Sequence, residues 1–195
     1  TRPPGHHAEK ERAMGFCLFG NVAIAAKYAL DHHQLSKVAI VDFDVHHGNG
    51  TQDILWDEER VLFVSSHQMP LFPGTGYASE KGIQNNILNI PLEPNISSQS
   101  FKALYEKEVF PALESFSPDL LLISAGFDAH ASDPLANINL LEEDFEWLTN
   151  RLCDLAKKVC GGRVVSTLEG GYDLDALAAS VRVHLETLLK RGKND

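Results

Sequence analysis

The run VDFDVHHGNG sets Asp42, Asp44 and His46 at alternate positions, two carboxylates and an imidazole in five residues. It follows Val38-Ala39-Ile40-Val41, an apolar and mostly β-branched stretch that reads as a short buried strand. Extended backbone sends alternate side chains to one face, so residues 42, 44 and 46 are expected to project together. Without a bound cation such a cluster at the end of a buried strand would repel itself and lose its hydration. A divalent metal removes both costs, and Asp and His in a three-ligand set are what a catalytic zinc uses when a fourth position stays open. A lone DxD would read as a solvated acidic turn. The continuation His46-His47-Gly48-Asn49-Gly50 tips the reading towards metal.

Asp128, in SAGFDAHASDP, is the best third ligand. An Asp in a Gly-containing loop is usually a turn former, but Asp44 and His46 need a partner, and the strand ending in Ser-Ala-Gly leaves room for one. His130 and Asp133 compete from deeper in the loop. Hydrolysis at a zinc centre also needs an acceptor for the water's proton and a donor for the leaving amine. A histidine held by a carboxylate suits both tasks near neutrality. His6-His7 supplies two, and Asp42 and Asn49 are expected to hold one each. Tyr172, after Leu168-Glu169-Gly170-Gly171, is either a buried phenol or an oxyanion donor presented by a flexible turn. Phe72 in LFPGTG and Phe16 after Gly15 could wall a pocket, although core packing is the commoner fate of either alone. Cys17 reads as a small buried hydrophobe rather than a nucleophile.

These residues need elements to position them. Strand-like and helix-like segments alternate, which argues for α/β architecture with a largely parallel sheet. Strands are expected at 37–43, 61–65, 86–92, 120–124 and 163–168. Helices are expected at 8–30 after the Pro-Pro-Gly breaker, at 100–116 with a kink at Pro111, and at 173–189, with Gly192 and a charged tail beyond. A fourth carries Leu141, Phe145, Leu148, Leu152, Leu155 and Val159 at helical spacing, with Asn139 and Glu142 as its capping pair. The polar residues gather at strand ends: Asp42, Asp44 and His46; Ser65 and His67; Gly126 and Asp128; Glu169 to Tyr172. In open α/β sheets ligands lie outside the carboxyl ends of the strands, so four such ends carrying functional side chains constitute a site.

The chain has 195 residues, 44% apolar and 23% charged, with no repeat or linker, which predicts one domain, 1–195, with a sizeable core. No apolar run approaches a membrane span, and no secretory signal opens the chain. Cys17, Cys153 and Cys160 form no disulfide framework, pointing to a reducing compartment: the cytoplasm, or the nucleus if the source is eukaryotic. A net charge of −10 argues against direct nucleic-acid binding and is compatible with cationic substrates. Thr1-Arg2-Pro3-Pro4-Gly5 lacks an initiator Met and runs straight into His6-His7, so a piece of a longer protein is expected.

The ordered motifs RPPGHHAEKERAMGFC, VDFDVHHGNGTQ, LFPGTG, SAGFDAH followed by DPLA, and LEGGYD run from Pro3 to about Leu189. On them the chain resembles the zinc-dependent histone deacetylases and their bacterial deacetylase and acetylpolyamine amidohydrolase relatives. Asn49 in HHGNGTQ, the LEGGY run and Pro3-Pro4-Gly5 before the histidines look like class II. The resemblance implies the three-layer arginase/deacetylase fold with a mainly parallel sheet. It implies zinc on Asp44, His46 and Asp128, with His7 as general base and acid, His6 as its electrostatic partner and Tyr172 polarising the acetyl carbonyl. Phe16 and Phe72, with Gly15, would line the acyl-lysine channel. It further implies potassium near the zinc, at Asp42, Asp44, His46, Ser65 and the backbone oxygen of Ser66. A second, peripheral site would use backbone oxygens around Leu55, Glu58 and Val61.

Family catalytic domains extend upstream of the His-His motif, so the N-terminal portion is expected to be missing here and the sheet to be incomplete. The function expected is hydrolysis of an acetyl or related acyl group from the terminal amine of a lysine in a protein or peptide. An acetylpolyamine hydrolase would use the same chemistry on another amine, and acetyl-lysine peptides against acetylspermidine separate the two. A two-manganese ureohydrolase would need further carboxylates around the same strand ends, where Asn49 stands; a metal stoichiometry of one excludes it. A non-catalytic acyl-lysine-binding module would be expected to lack the tyrosine or a ligand, and both are present.

Overall fold

The computed structural model describes residues 3–192, so Thr1, Arg2 and the charged tail expected after Gly192 lie outside the described residues. Five strands, β1 (Val38–Asp42), β2 (Val61–Gln68), β3 (Ile87–Leu92), β4 (Leu120–Ala125) and β5 (Val164–Leu168), form one sheet in the order β3-β2-β1-β4-β5. Every pairing is parallel. The chain starts in the middle, steps outward through β2 and β3, then returns to lay β4 and β5 on the other side of β1. The reversal of winding falls between β1 and β4, where a parallel sheet opens a crevice at its carboxyl edge.

The strand period sorts side chains onto two faces. Val38 and Ile40, with Val61, Phe63 and Leu122, pack under α1 (Asn21–His32) through Val22, Ala26 and Leu30, and against Leu55 of α2 (Asn49–Leu55). Ala39 and Val41, with Val64, Leu121 and Ile123, face Tyr105, Leu113, Phe145, Leu148 and Leu152 on the opposite layer. Helices on both faces bury all of β1, as the continuous apolar run demanded. At the sheet edge β5 is less covered, and Val165 is exposed.

Three expectations about helices need correction. The segment 8–30 is not one helix: α1 begins at Asn21, and residues 8–20 form a loop in which Gly15 and Phe16 take positive φ. Its propensity yields to tertiary demand, because this loop walls the site described below. The segment 100–116 comprises α3 (Ser98–Leu104), a wide π turn over Tyr105–Val109 and α4 (Phe110–Phe116). Phe110 N–H reaches back to Tyr105 O, so a widened turn, rather than a sharp kink, precedes Pro111. The helix α5 (Glu142–Cys160) is capped by Asp144, whose carboxylate accepts the Leu141 N–H at 3.0 Å, while Asn139 donates to Asn95 instead. The short α2 carried no strong periodicity and was not anticipated.

The helix α6 (Leu174–Gly192) packs on α5 and buries His184. Thr149 on α5 donates its hydroxyl to Phe145 O, so His184 Nδ1–H must donate to Thr149 Oγ1 at 2.7 Å, leaving Nε2 to accept from Ser166 Oγ of β5 at 2.9 Å. Burial lowers the His184 pKa from 6.5 to about 4. With the folded value depressed, its contribution to stability is fully present above pH 6.5 and is lost as pH falls towards 4. The shift corresponds to roughly 3 kcal/mol. Denaturant titrations of His184→Gln, which keeps a donor and an acceptor, should show a shallower fall in stability between pH 6.5 and 4 than wild type. Equal slopes would remove His184 as the responsible group.

Candidate functional site

Strand β1 stops at Asp42, one residue short of the expected end, so alternation along a strand does not aim Asp44 and His46. Two successive Asx-type turns do so instead. Asp42 Oδ1 accepts the Asp44 N–H at 3.1 Å, and Asp44 Oδ1 accepts the His46 N–H at 2.9 Å. The loop after β4 is joined to this turn by Asp128 Oδ1, which accepts the Val45 N–H at 2.8 Å. The loop after β5 joins through Gly170 N–H, which donates to Asp44 Oδ2 at 2.7 Å. Three strand ends therefore lock around one point.

At that point Asp44, His46 and Asp128 each offer a donor atom within 4.8 Å of the others, all buried. His46 Nδ1 stands 3.1 Å from Asp44 Oδ1 and 3.0 Å from Asp128 Oδ2. Burial alone would lower the His46 pKa, but its bonds to Asp128 and Asp44 outweigh that and push it up to about 10. Burial and the neighbouring Asp44 raise Asp128 to about 7. Both shifts express one need, positive charge between two buried carboxylates, and a divalent cation meets it. A Cβ on Gly170 would lie 2.2 Å from Asp128 Oδ2 and 2.6 Å from Asp44 Oδ2, so glycine is what leaves the cradle open. The donor set fits a metal ion. The competing candidates turn elsewhere: His130 faces Glu142 at 3.6 Å, and Asp133 accepts backbone N–H groups from Leu135 and Tyr172.

His6 and His7 take one each of the two expected partners. His6 Nδ1 lies 2.9 Å from Asp42 Oδ2, and His7 Nδ1 lies 2.7 Å from Asn49 Oδ1. The Asn49 amide donates in turn to Glu9 Oε1 at 2.7 Å, which fixes its oxygen towards the histidine. Asn49 Oδ1 can only accept, so His7 carries its proton on Nδ1 and its lone pair on Nε2. Their electrostatics diverge. Burial would lower His6, but Asp44 and Asp42 hold it well above 6.5. Burial and the nearby His6 charge lower His7 to about 3. The carboxylates favour the protonated form of one ring, and burial favours the neutral form of the other. Asp42 itself rises to about 7 through burial, against the pull of His6.

A cavity of about 590 Å³ opens beside this pair, lined by His7, Gly15, Phe16, His46, Leu71, Phe72, Leu135 and Tyr172. The Phe72 ring stands edge-on to His7 with centroids 5.1 Å apart, and Phe16 faces Tyr172 at 6.2 Å. Phe16 is 73% exposed and Phe72 49%, so both are pocket walls rather than core. Gly15 is required by space as well as by its φ of +55°, since a Cβ there would lie 2.3 Å from His7 Cδ2. Cys17 is buried, as expected of a small hydrophobe, and its sulfur accepts the His7 N–H at 3.4 Å. Leu71 and Leu135 were not singled out by sequence; Leu135, two residues after Asp133 in DPLA, had only that spacing to mark it.

The residues associated with potassium divide. Asp42, at the end of β1, and Ser65, inside β2 because that strand runs on to Gln68 rather than ending at 65, are register partners, both buried, with Ser65 Oγ 3.0 Å from His67 Nδ1 and Ser66 Oγ 2.6 Å from Tyr105 Oη. At the peripheral group the carbonyl oxygens of Leu55 and Glu58 already accept from the Asn86 amide, at 2.9 and 3.3 Å. The residue most clearly missed is Glu169. It is fully buried, and its carboxylate reaches the backbone of Gly5 and His6 and the hydroxyl of Ser124. An acid directly after the apolar run of β5 was its signal.

The family described as the histone deacetylase domain matches residues 1–188. Histone deacetylase 10, chloroplastic, of Oryza sativa subsp. japonica is 46% identical over 184 residues, covering 93% of this chain and 42% of its own length. The histone deacetylase-like amidohydrolase of Pseudomonas aeruginosa is 42% identical over 177 residues, covering 88% of this chain and 46% of its own. Among solved structures, the crystal structure of the HDA15 HD domain superposes with a TM-score of 0.91 at 40% identity, over 97% of this chain and 54% of that one. The chain thus spans about half the length of the curated relatives it matches. No helix among the described residues is long and apolar enough to cross a membrane.

Proposed function

Because the chain belongs to the histone deacetylase domain family, we propose that it hydrolyses the amide of N-acetyl-lysine side chains, or a closely related acyl-lysine, releasing the carboxylate and the free amine. One observation carries this reading: an aromatic-walled cavity shares its lining between His46, a candidate metal ligand, and His7, a neutral base. Zinc held by Asp44, His46 and Asp128 would supply a Lewis acid and an acidified water. His7 Nε2 takes a proton from the attacking water, and the same nitrogen returns it to the departing amine. His6, paired with Asp42, holds positive charge beside the oxyanion as it forms. Tyr172 donates a hydrogen bond to the acyl oxygen. Phe16 and Phe72 sandwich the lysine stem, whose four methylenes gain from leaving water, with Gly15 giving the stem clearance.

Potassium bound through Asp42, Asp44, His46, Ser65 and Ser66 belongs to the same proposal, supported by the buried oxygens of Asp42 and Ser65, register partners on the adjacent strands β1 and β2. Lysine is favoured over an acetylated polyamine because, among the described residues, the cavity lining includes no carboxylate to meet a second ammonium group. A reducing compartment such as the cytoplasm is supported by three buried, unbridged cysteines. The test is turnover of acetyl-lysine peptides against acetylspermidine, with and without chelator. Turnover that survives chelation, or that prefers the polyamine, overturns the corresponding half of the proposal.

Tyr172→Phe tests the mechanism more narrowly. The hydroxyl is not among the metal donors, so the variant should keep its fold, its zinc and its peptide affinity. Loss of one oxyanion donor costs about 10²–10³ in turnover. Steady-state kinetics within a few-fold of wild type would make Tyr172 a packing residue.

A further inference from the structure

The segment carrying His6 and His7 belongs to no helix or strand, so its buried backbone groups must find partners individually. The His6 carbonyl accepts from Gly50 and Thr51 N–H at 2.9 and 3.1 Å, at the start of α2. On the other side the donors of Gly5 and His6 both point at one atom, Glu169 Oε2, at 2.6 and 3.1 Å. Glu169 Oε1 accepts from Ser124 Oγ at 2.6 Å. Glu169 is itself fixed, because its N–H continues the β4–β5 ladder to Ala125 O at 2.8 Å and it is fully buried. The carboxylate is therefore a rigid bracket reaching from the last two strands to the backbone directly under the histidine pair.

We propose that Glu169 is a positioning residue for the proton-transfer pair: by clamping the Gly5–His6 backbone against the ends of β4 and β5 it sets where His6 and His7 stand relative to the metal cradle. The inference rests on the deacetylase reading for what the pair does. Its geometry does not depend on that reading. Glu169 is neither a lining residue of the cavity nor one of the three metal donors; its hydrogen bonds reach the site through the segment it holds, and its charge adds to the pull of Asp44 and Asp42 on His6. What the clamp requires is reach and acceptor capacity rather than charge. A glutamine can supply both, with its amide oxygen accepting from Gly5 and His6 while its NH₂ donates to Ser124 Oγ, which then accepts. An aspartate keeps the charge but falls short by one methylene.

The experiment compares Glu169→Gln, Glu169→Asp and Glu169→Ala in the full chain reconstituted with zinc. A displacement of about 1 Å at a reacting group costs on the order of 10²-fold in turnover, so Asp and Ala should lose about that much kcat, with KM within about twofold, and Gln should stay within about threefold of wild type. Zinc stoichiometry and affinity for a hydroxamate should be unchanged throughout. Amide exchange should accelerate at Gly5 and His6 in Asp and Ala while β4 and β5 stay protected. Asp outperforming Gln would show that charge is what matters and overturn the proposal, as would equal exchange at Gly5 and His6 in all variants. Should Ala fail to fold, the order of Gln and Asp decides alone. Should wild type turn over no acyl-lysine peptide, the functional reading fails by itself, and the exchange data still decide whether the clamp exists.

Discussion

Asp128→Ala is expected to bind no stoichiometric zinc and to show no measurable hydrolysis of acyl-lysine peptides. The carboxylate supplies one of three donors that converge within 4.8 Å, and two protein ligands from adjacent turns do not make a zinc site of useful affinity. Its loss also strips the Val45 N–H of its acceptor, at a cost of about 1–3 kcal/mol for an unpaired buried donor. Asp128→Asn separates the two effects, since an amide oxygen can keep the Val45 bond while giving up the anionic donor. Metal analysis after reconstitution, read beside a thermal melt, is the measurement. Full zinc occupancy in folded Asp128→Ala would mean that the third ligand has been misassigned and that His130 or Asp133 must be reconsidered.

His7→Ala should be nearly as damaging to turnover and almost silent in metal binding. General acid and base catalysis by one group typically contributes about 10²–10⁴-fold, and here the same nitrogen is asked to do both. The variant should hold zinc and bind a hydroxamate close to normally, because Asp44, His46 and Asp128 are untouched. In wild type the acid limb of kcat/KM should lie well below pH 6.5, because burial and the His6 charge keep His7 unprotonated down to about 3. Near-normal turnover in His7→Ala would hand the role to His6, against the geometry in which His6 Nδ1 is committed to Asp42 at 2.9 Å.

The architecture was legible where one physical signal dominated. Val38–Val41 had to be a buried strand, and the alternation of strands with helices implied parallel pairing with the polar residues at one edge. That Asp42 and Asn49 would hold one histidine each followed from asking which polar groups could hold the rings, while which ring takes which partner came from the structure. What stayed hidden depends on tertiary context. Residues 8–20 contain helix-favouring Ala, Glu and Lys, yet they form a loop because Gly15 must pass over His7 and Phe16 must face Tyr172. The convergence of Asp44 and His46 was expected for the wrong reason, since side-chain-to-backbone turns rather than strand alternation produce it. Glu169 was noticed only as a strand-end residue, because its partners lie at the far end of the chain.

That distance bears on how the protein is made. Gly5 and Glu169 are 164 residues apart in sequence. A ribosome adding about 5–20 residues per second delivers Glu169 roughly ten to thirty seconds after Gly5. During that interval the His6-His7 segment lacks the bracket that holds it, while β1 and β2 can already pair. Non-local parallel sheets are slow to close for the same entropic reason. The segment carrying the proposed base is thus synthesised well before the residue that secures it, and a chain stalled before β5 would carry every metal donor yet lack the bracket under His6 and His7.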